Sequence, residues 1–140
     1  MKKSSLISIA ALAAVSALAL SGCAGASNDA AASTRACVIL PDTESSPRWE
    51  AGDKPALEKA LTDAGYSVDI QNAQGDTAKY ATIADQMLSK GCGVMILTDH
   101  QGAAIQVAEK AKAAGVPVIA YDRPVAGADY DVSFDNEGVG

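Results

Sequence analysis

The sequence predicts an α/β fold, a doubly wound and mostly parallel sheet with helices on both faces. Three observations carry that expectation. From Arg35 onward, short apolar runs alternate with stretches of helical spacing. Most of those runs are continuously apolar, as strands covered on both faces are. A glycine closes each of three helical stretches, at Gly65, Gly91 and Gly115. Strand starts fall near residues 36, 67, 93, 116 and 130, which gives the order β-α-β-α-β-α-β-β. The intervals drift and the helices share no motif, so a solenoid is excluded.

The first strand is Ala36-Cys37-Val38-Ile39-Leu40, ended by Pro41. The helix after it carries Leu57, Ala60, Leu61 and Ala64 on one face, and Pro55 either begins or kinks it. Ser67-Val68-Asp69-Ile70-Gln71 alternates like a half-buried or edge strand. Asp76 or Thr77 caps the next helix, whose stripe is Tyr80, Ile83, Ala84, Met87 and Leu88. Val94 to Leu97 is the third strand, and an Ala-rich helix spans about Gln101 to Ala114. Val116 to Ala120 is the fourth strand and Tyr130 to Phe134 the fifth. Gly140 falls where a further helix would start, and we expect a second lobe beyond it.

The amino end sets the compartment. Lys2 and Lys3 precede an apolar run from Leu6 to Leu20, broken only by Ser8 and Ser16. A bilayer-spanning helix needs about 20 apolar residues, so this shorter run reads as a secretory signal. The following Leu20-Ser21-Gly22-Cys23 resembles the lipobox of bacterial lipoproteins, in which cleavage precedes a cysteine that then carries lipid. Residues 1–22 are thus expected to be a lipoprotein signal peptide. Residues 23–34 hold no large apolar side chain and form a flexible tether, and residues 35–140 form the folded lobe. The resulting protein is expected to be exported, either anchored by lipidated Cys23 to the outer face of the cell membrane or periplasmic.

The net charge is −6, and removal of Lys2 and Lys3 takes it to −8. An acidic chain without a basic run is not a nucleic-acid binder. The sequence holds one histidine and no P-loop, G-x-G-x-x-G or G-x-S-x-G element. No metal, cofactor or catalytic residue is therefore assigned.

In open α/β sheets ligands bind outside the carboxyl ends of the strands, and the unusual polar residues of this chain collect there. Asp42, Thr43, Glu44, Arg48 and Trp49 follow the first strand, and Thr98, Asp99 and His100 follow the third. Asp122 and Arg123 follow the fourth, and Asp135 and Asn136 the fifth. This set suits a neutral polyol. A carboxylate such as Asp122 accepts from two adjacent hydroxyls, Arg48 and Arg123 donate to oxygens, and Trp49 offers an apolar face to a sugar ring. Core packing of Trp49 and a local Asp122–Arg123 salt bridge are the plain alternatives.

Ser46-Pro47-Arg48-Trp49-Glu50, Ala120-Tyr121-Asp122-Arg123 and Val132 to Gly140 together resemble the sugar-binding proteins of ABC importers. Within that group the likeness is to the periplasmic-binding-protein type 1 class and its xylose/glucose-binding branch. The resemblance implies the N-terminal lobe of a two-lobed protein that acts as a monomer, captures a monosaccharide and delivers it to membrane permease subunits. It further implies that Arg48, Trp49, Asp122 and Arg123 contact the sugar and that Asp135 and Asn136 line the cleft or the approach to the hinge. Asp42 and Asp99 join the expected ligand-binding set by their place after the first and third strands. In this fold strands one and three are neighbours, which leaves Cys37 and Cys92 either bridged or simply buried. An inositol, a nucleoside or a signalling furanose is the alternative ligand, and a carbohydrate-acting enzyme a more distant one. A sugar-responsive transcription regulator shares the fold but would begin with a DNA-binding helix-turn-helix rather than a signal peptide.

Overall fold

The computed structural model describes residues 33–139, apart from the side chain of Asn136. The signal peptide, Cys23 and most of the tether lie outside the described residues. Five strands form one parallel sheet in the order β2-β1-β3-β4-β5, with β1 at Arg35–Leu40, β2 at Ser67–Asn72, β3 at Val94–Leu97, β4 at Val118–Tyr121 and β5 at Tyr130–Val132. The helices are α1 (Lys54–Asp63), α2 (Thr77–Ser89), α3 (Ala103–Ala113) and the short α4 (Asn136–Val139). The alternating Ser67–Gln71 run is indeed an edge strand.

Side-chain alternation along the strands builds two unequal cores. Cys37, Ile39, Met95, Leu97, Val118 and Ala120 point to one face. There they meet Tyr80, Ile83, Ala84 and Met87 of α2 and Ala104, Val107, Ala108 and Ala111 of α3. The opposite face carries Val38, Leu40 and Ile96 against Trp49, with Leu57 and Leu61 of α1 only partly buried. Coverage on this side thins toward β5. The register sets Tyr130 beside Ile119 and Val132 beside Tyr121, and Tyr130 and Val132 are exposed.

Boundaries differ from expectation where backbone chemistry overrides the apolar pattern. A single π-helical turn, Trp49–Asp53, runs directly into α1. The Lys54 N–H reaches back to the Trp49 carbonyl, and Pro55, lacking an N–H, falls in the first turn of α1 where none is needed. The α3 helix begins at Ala103 rather than Gln101, because Gly102 before it is left-handed, at φ 81°. The fourth strand starts at Val118, past Pro117, whose carbonyl accepts from Met95 N–H at 2.9 Å. The fifth ends at Val132.

Asp76 caps α2, its carboxylate accepting from the N–H groups of Ala78 (2.8 Å) and Lys79 (3.0 Å). Asp76→Ala is expected to lower stability by about 1 kcal/mol, read as a shift of the denaturant midpoint. Cys37 and Cys92 are joined by a disulfide with Cα atoms 5.9 Å apart. The bond ties the amino end of β1 to the residue that leads into β3.

Candidate ligand-binding edge

Strand order reverses between β1 and β3, since the chain leaves β1 for β2 on one side and adds β3, β4 and β5 on the other. A crevice at the carboxyl ends of strands flanking such a switch is where α/β sheets take ligands. The loops after β1, β3 and β4 converge here.

Asp42 follows directly from β1 and is 4% exposed. Its carboxylate accepts from the Ser45 N–H (2.5 Å) and the Ser45 hydroxyl (2.8 Å). Burial alone would raise its pKa. The Ser45 hydrogen bonds, the Arg123 charge and the Glu44 N–H outweigh that and hold the group below the usual carboxylate range. The Asp42 carbonyl accepts from Asn72 Nδ2 at 3.0 Å, and the same nitrogen donates to Glu50 Oε1 at 3.0 Å.

Arg48 lies at the centre of the edge. Its Nη2 donates to Asp122 Oδ1, and its Nε lies 3.2 Å from Asp53 Oδ2. The latter is a charge contact rather than an aligned hydrogen bond, for Asp53 Oδ2 has no hydrogen-bond partner. The hydrogen bond from Arg48 to Asp122 raises the arginine's pKa further, over the opposing effect of burial. Asp122 itself has a left-handed backbone at φ 66°, and its N–H donates to the Val132 carbonyl at 2.8 Å. That turn lifts its carboxylate off the end of β4 toward Arg48.

Trp49 is 2% exposed. The Arg48 guanidinium carbon stands 4.2 Å from its ring centroid and that of Arg123 5.3 Å, distances at which a cation is drawn to an aromatic face. The ring packs with Val38, Leu40 and Ile96 in the core. Arg123 also donates from Nη1 to the Asp99 carbonyl (2.9 Å) and from Nη2 to Ser45 Oγ (3.3 Å).

The remaining expected residues are placed differently. Asp99 turns its carboxylate into the start of α3, accepting from Gly102 (2.9 Å) and Ala104 (3.1 Å) N–H groups. It offers the edge its backbone carbonyl. Asn136 begins α4, with its side chain outside the described residues. Asp135 accepts from Gly138 N–H at 2.8 Å and so caps the same short helix.

Four residues of the edge carried little signal in the sequence. Ser45 and Asp53 sit among other small or acidic residues. Asn72, a buried polar residue at the end of β2, follows an alternating run in which polar Asp69 and Gln71 already stand, so it does not stand out. His100 is singled out only by its place after β3. Its Nε2 is 3.1 Å from the Gly75 carbonyl and its Nδ1 3.7 Å from Asp42. Among the described residues no group of three or more His, Cys, Asp or Glu side chains is arranged to hold a metal ion.

Comparison with known proteins shows the family. The family model described as "Periplasmic binding protein domain" matches residues 37–140. The chain belongs to the periplasmic binding protein family. Within it, the D-xylose-binding periplasmic protein of Haemophilus influenzae is 35% identical over 96 residues, covering 66% of this chain and 29% of that protein. The multiple sugar-binding periplasmic receptor ChvE of Rhizobium radiobacter is 35% identical over 106 residues, covering 73% of this chain and 30% of the receptor. A carbohydrate transporter solute binding protein from Chloroflexus aurantiacus, solved with D-glucose, superposes with a TM-score of 0.62 at 39% identity, over 74% of this chain and 31% of that one. A solute binding protein from Clostridium phytofermentans with bound beta-D-glucose gives a TM-score of 0.67 at 34% identity, over 75% and 33%. This periplasmic binding protein chain therefore spans about 30% of the length of its curated relatives.

Proposed function

We propose that the chain supplies the N-terminal, sugar-contacting lobe of an extracytoplasmic solute-binding lipoprotein. The protein captures a xylose- or glucose-like aldose and delivers it to an ABC importer. The observation that carries this reading is the meeting of Arg48, Asp122 and Arg123 beside Trp49 at the switch point of the sheet. Relatives whose names specify xylose and multiple sugars, and neighbours solved with glucose, support the same ligand class.

The chemistry favours a neutral polyol. Two guanidinium groups, Arg48 and Arg123, share the edge with the carboxylates of Asp42, Asp53 and Asp122. A further carboxylate from an acidic sugar would enter a field already dominated by negative charge. Hydroxyl groups meet no such penalty. Asp122 accepts from them, the arginines donate to their oxygens, and neither needs to change charge. The role is capture without turnover, by a monomer held to the membrane through lipid on Cys23. Diacylation of that cysteine meets the need for more than one chain in stable anchoring.

The test is calorimetric titration of the protein encoded by the complete reading frame containing these residues, produced without residues 1–22. Xylose, glucose, glucuronate, myo-inositol and uridine form the panel. Micromolar or tighter binding of one neutral aldose, with glucuronate silent and the bound sugar recovered unchanged, is the expected result. Binding confined to myo-inositol or uridine would reject the sugar assignment and keep the fold. For the anchor, Cys23→Ser is expected to release the processed protein from membranes.

A further inference from the structure

The hydroxyl of Ser45 is used to its full capacity. It donates to Asp42 Oδ2 at 2.8 Å and accepts from Trp49 Nε1 at 3.2 Å and from Arg123 Nη2 at 3.3 Å. One donor and two acceptor positions are all that a serine hydroxyl has. Two of the partners belong to the same loop as Ser45, Asp42 lying just past β1 and Trp49 opening the π-helical turn, whereas Arg123 follows β4. Two of them are closed off from solvent, Trp49 at 2% and Asp42 at 4% exposed. Ser45 itself remains exposed at the rim of the edge.

We propose that Ser45 is a positioning residue of the ligand edge, locking the Trp49 indole, the Arg123 guanidinium and the Asp42 carboxylate into one arrangement before a ligand arrives. The binding part of this inference rests on the sugar reading above, whereas the locking part does not. Arg48 and Arg123 both lie against the Trp49 ring, so a turned indole would shift the surface on which both guanidinium groups rest. Among the described residues, the indole N–H donates to the Ser45 hydroxyl alone. A donor so enclosed loses free energy if its acceptor is removed, and the ring gains a reason to turn. Fixing groups in their bound geometry before association lowers the ordering cost of binding. The exposed position of Ser45 means that its loss is felt at the site rather than in the core.

Ser45→Ala removes all three hydroxyl contacts, while Ser45→Thr keeps the hydroxyl at an exposed position. Both are compared with the parent in the complete-frame protein. The first readout is the indole N–H resonance of ligand-free protein in a nitrogen-15 correlation spectrum, assigned by its disappearance in Trp49→Phe. The second is affinity for the aldose that the parent binds. Ser45→Ala is expected to move the resonance, speed its exchange with water and weaken binding about tenfold, the scale of one lost hydrogen bond to a charged or buried partner. Ser45→Thr is expected to restore both. An unmoved resonance in Ser45→Ala overturns the proposal, as does a moved resonance with full affinity. If the parent binds no aldose, the sugar reading falls, and the indole resonance alone still decides whether Ser45 holds the edge.

Discussion

Replacing both Cys37 and Cys92 by alanine is expected to destabilise the protein by about 4 kcal/mol, through loss of chain restriction in the unfolded state. The bond closes a loop with a sequence separation of 55. Loop-closure entropy for a segment of that length gives about 14 cal/mol/K, or about 4 kcal/mol at 25 °C. A domain of this size holds a net stability of only about 5–15 kcal/mol, so this single crosslink is a large share of it. Alanine is the right replacement because Cys37 is fully buried and Cys92 is 5% exposed, and a serine hydroxyl there would be enclosed without a partner. The measurement is denaturant unfolding of parent, double variant and reductant-treated parent. The last two are expected to coincide near a much lower midpoint. An unchanged midpoint would mean that the unfolded chain is already restricted without the bond. The crosslink lies at the amino edge of the sheet and the arginines at the carboxyl edge. Ligand affinity measured under folding conditions is therefore expected to stay within about twofold of the parent, since well-separated changes act independently.

The fold was legible because burial leaves a strong periodic trace. Runs such as Val38-Ile39-Leu40 and Met95-Ile96-Leu97 have both faces covered in the sheet, and the glycines at 65, 91 and 115 all adopt positive φ after their helices. The ligand edge was legible to the extent that polar residues interrupt those runs at one end, which singled out Arg48, Asp122 and Arg123. Direction was not legible. Asp99 and Asp122 occupy equivalent places after β3 and β4, yet one carboxylate caps a helix and the other meets Arg48. The difference arises from the backbone, left-handed at Asp122 and feeding a helix start at Gly102. No periodicity encodes that choice. Trp49 shows the same limit. The sequence places it beside Arg48, but only the packing of Val38, Leu40 and Ile96 beneath it determines how far the ring is buried. Ser45 carried no signal because its role depends on how the loop after β1 folds back on itself, bringing Asp42 and Trp49 together, and on Arg123 from 78 residues away.

Asp122→Asn is expected to reduce aldose affinity about 100-fold while leaving the thermal midpoint nearly unchanged. A hydrogen bond to a charged group contributes about 1.5–3 kcal/mol, and tenfold in affinity is about 1.4 kcal/mol. Losing the carboxylate as an acceptor, together with the Arg48 alignment it maintains, accounts for a change of that order. Stability is little affected because the Arg48–Asp122 pair is open to solvent, with side-chain exposures of 48% and 29%. Pairs of that kind contribute about 0–1 kcal/mol. The choice of asparagine matters. At φ 66° the backbone is left-handed, a conformation asparagine and aspartate tolerate better than other side-chain-bearing residues. Asp122→Ala is therefore expected to show the same loss of affinity plus about 1–2 kcal/mol of backbone strain, whereas Asp122→Gly loses the carboxylate without the strain. Affinity and melting curves for the three variants separate the two contributions. Equal affinity loss in all three, with destabilisation confined to alanine, assigns binding to the carboxylate and stability to the backbone. Full affinity in Asp122→Asn would move the ligand contact away from this carboxylate and leave Asp122 as the residue that merely turns the chain out of β4.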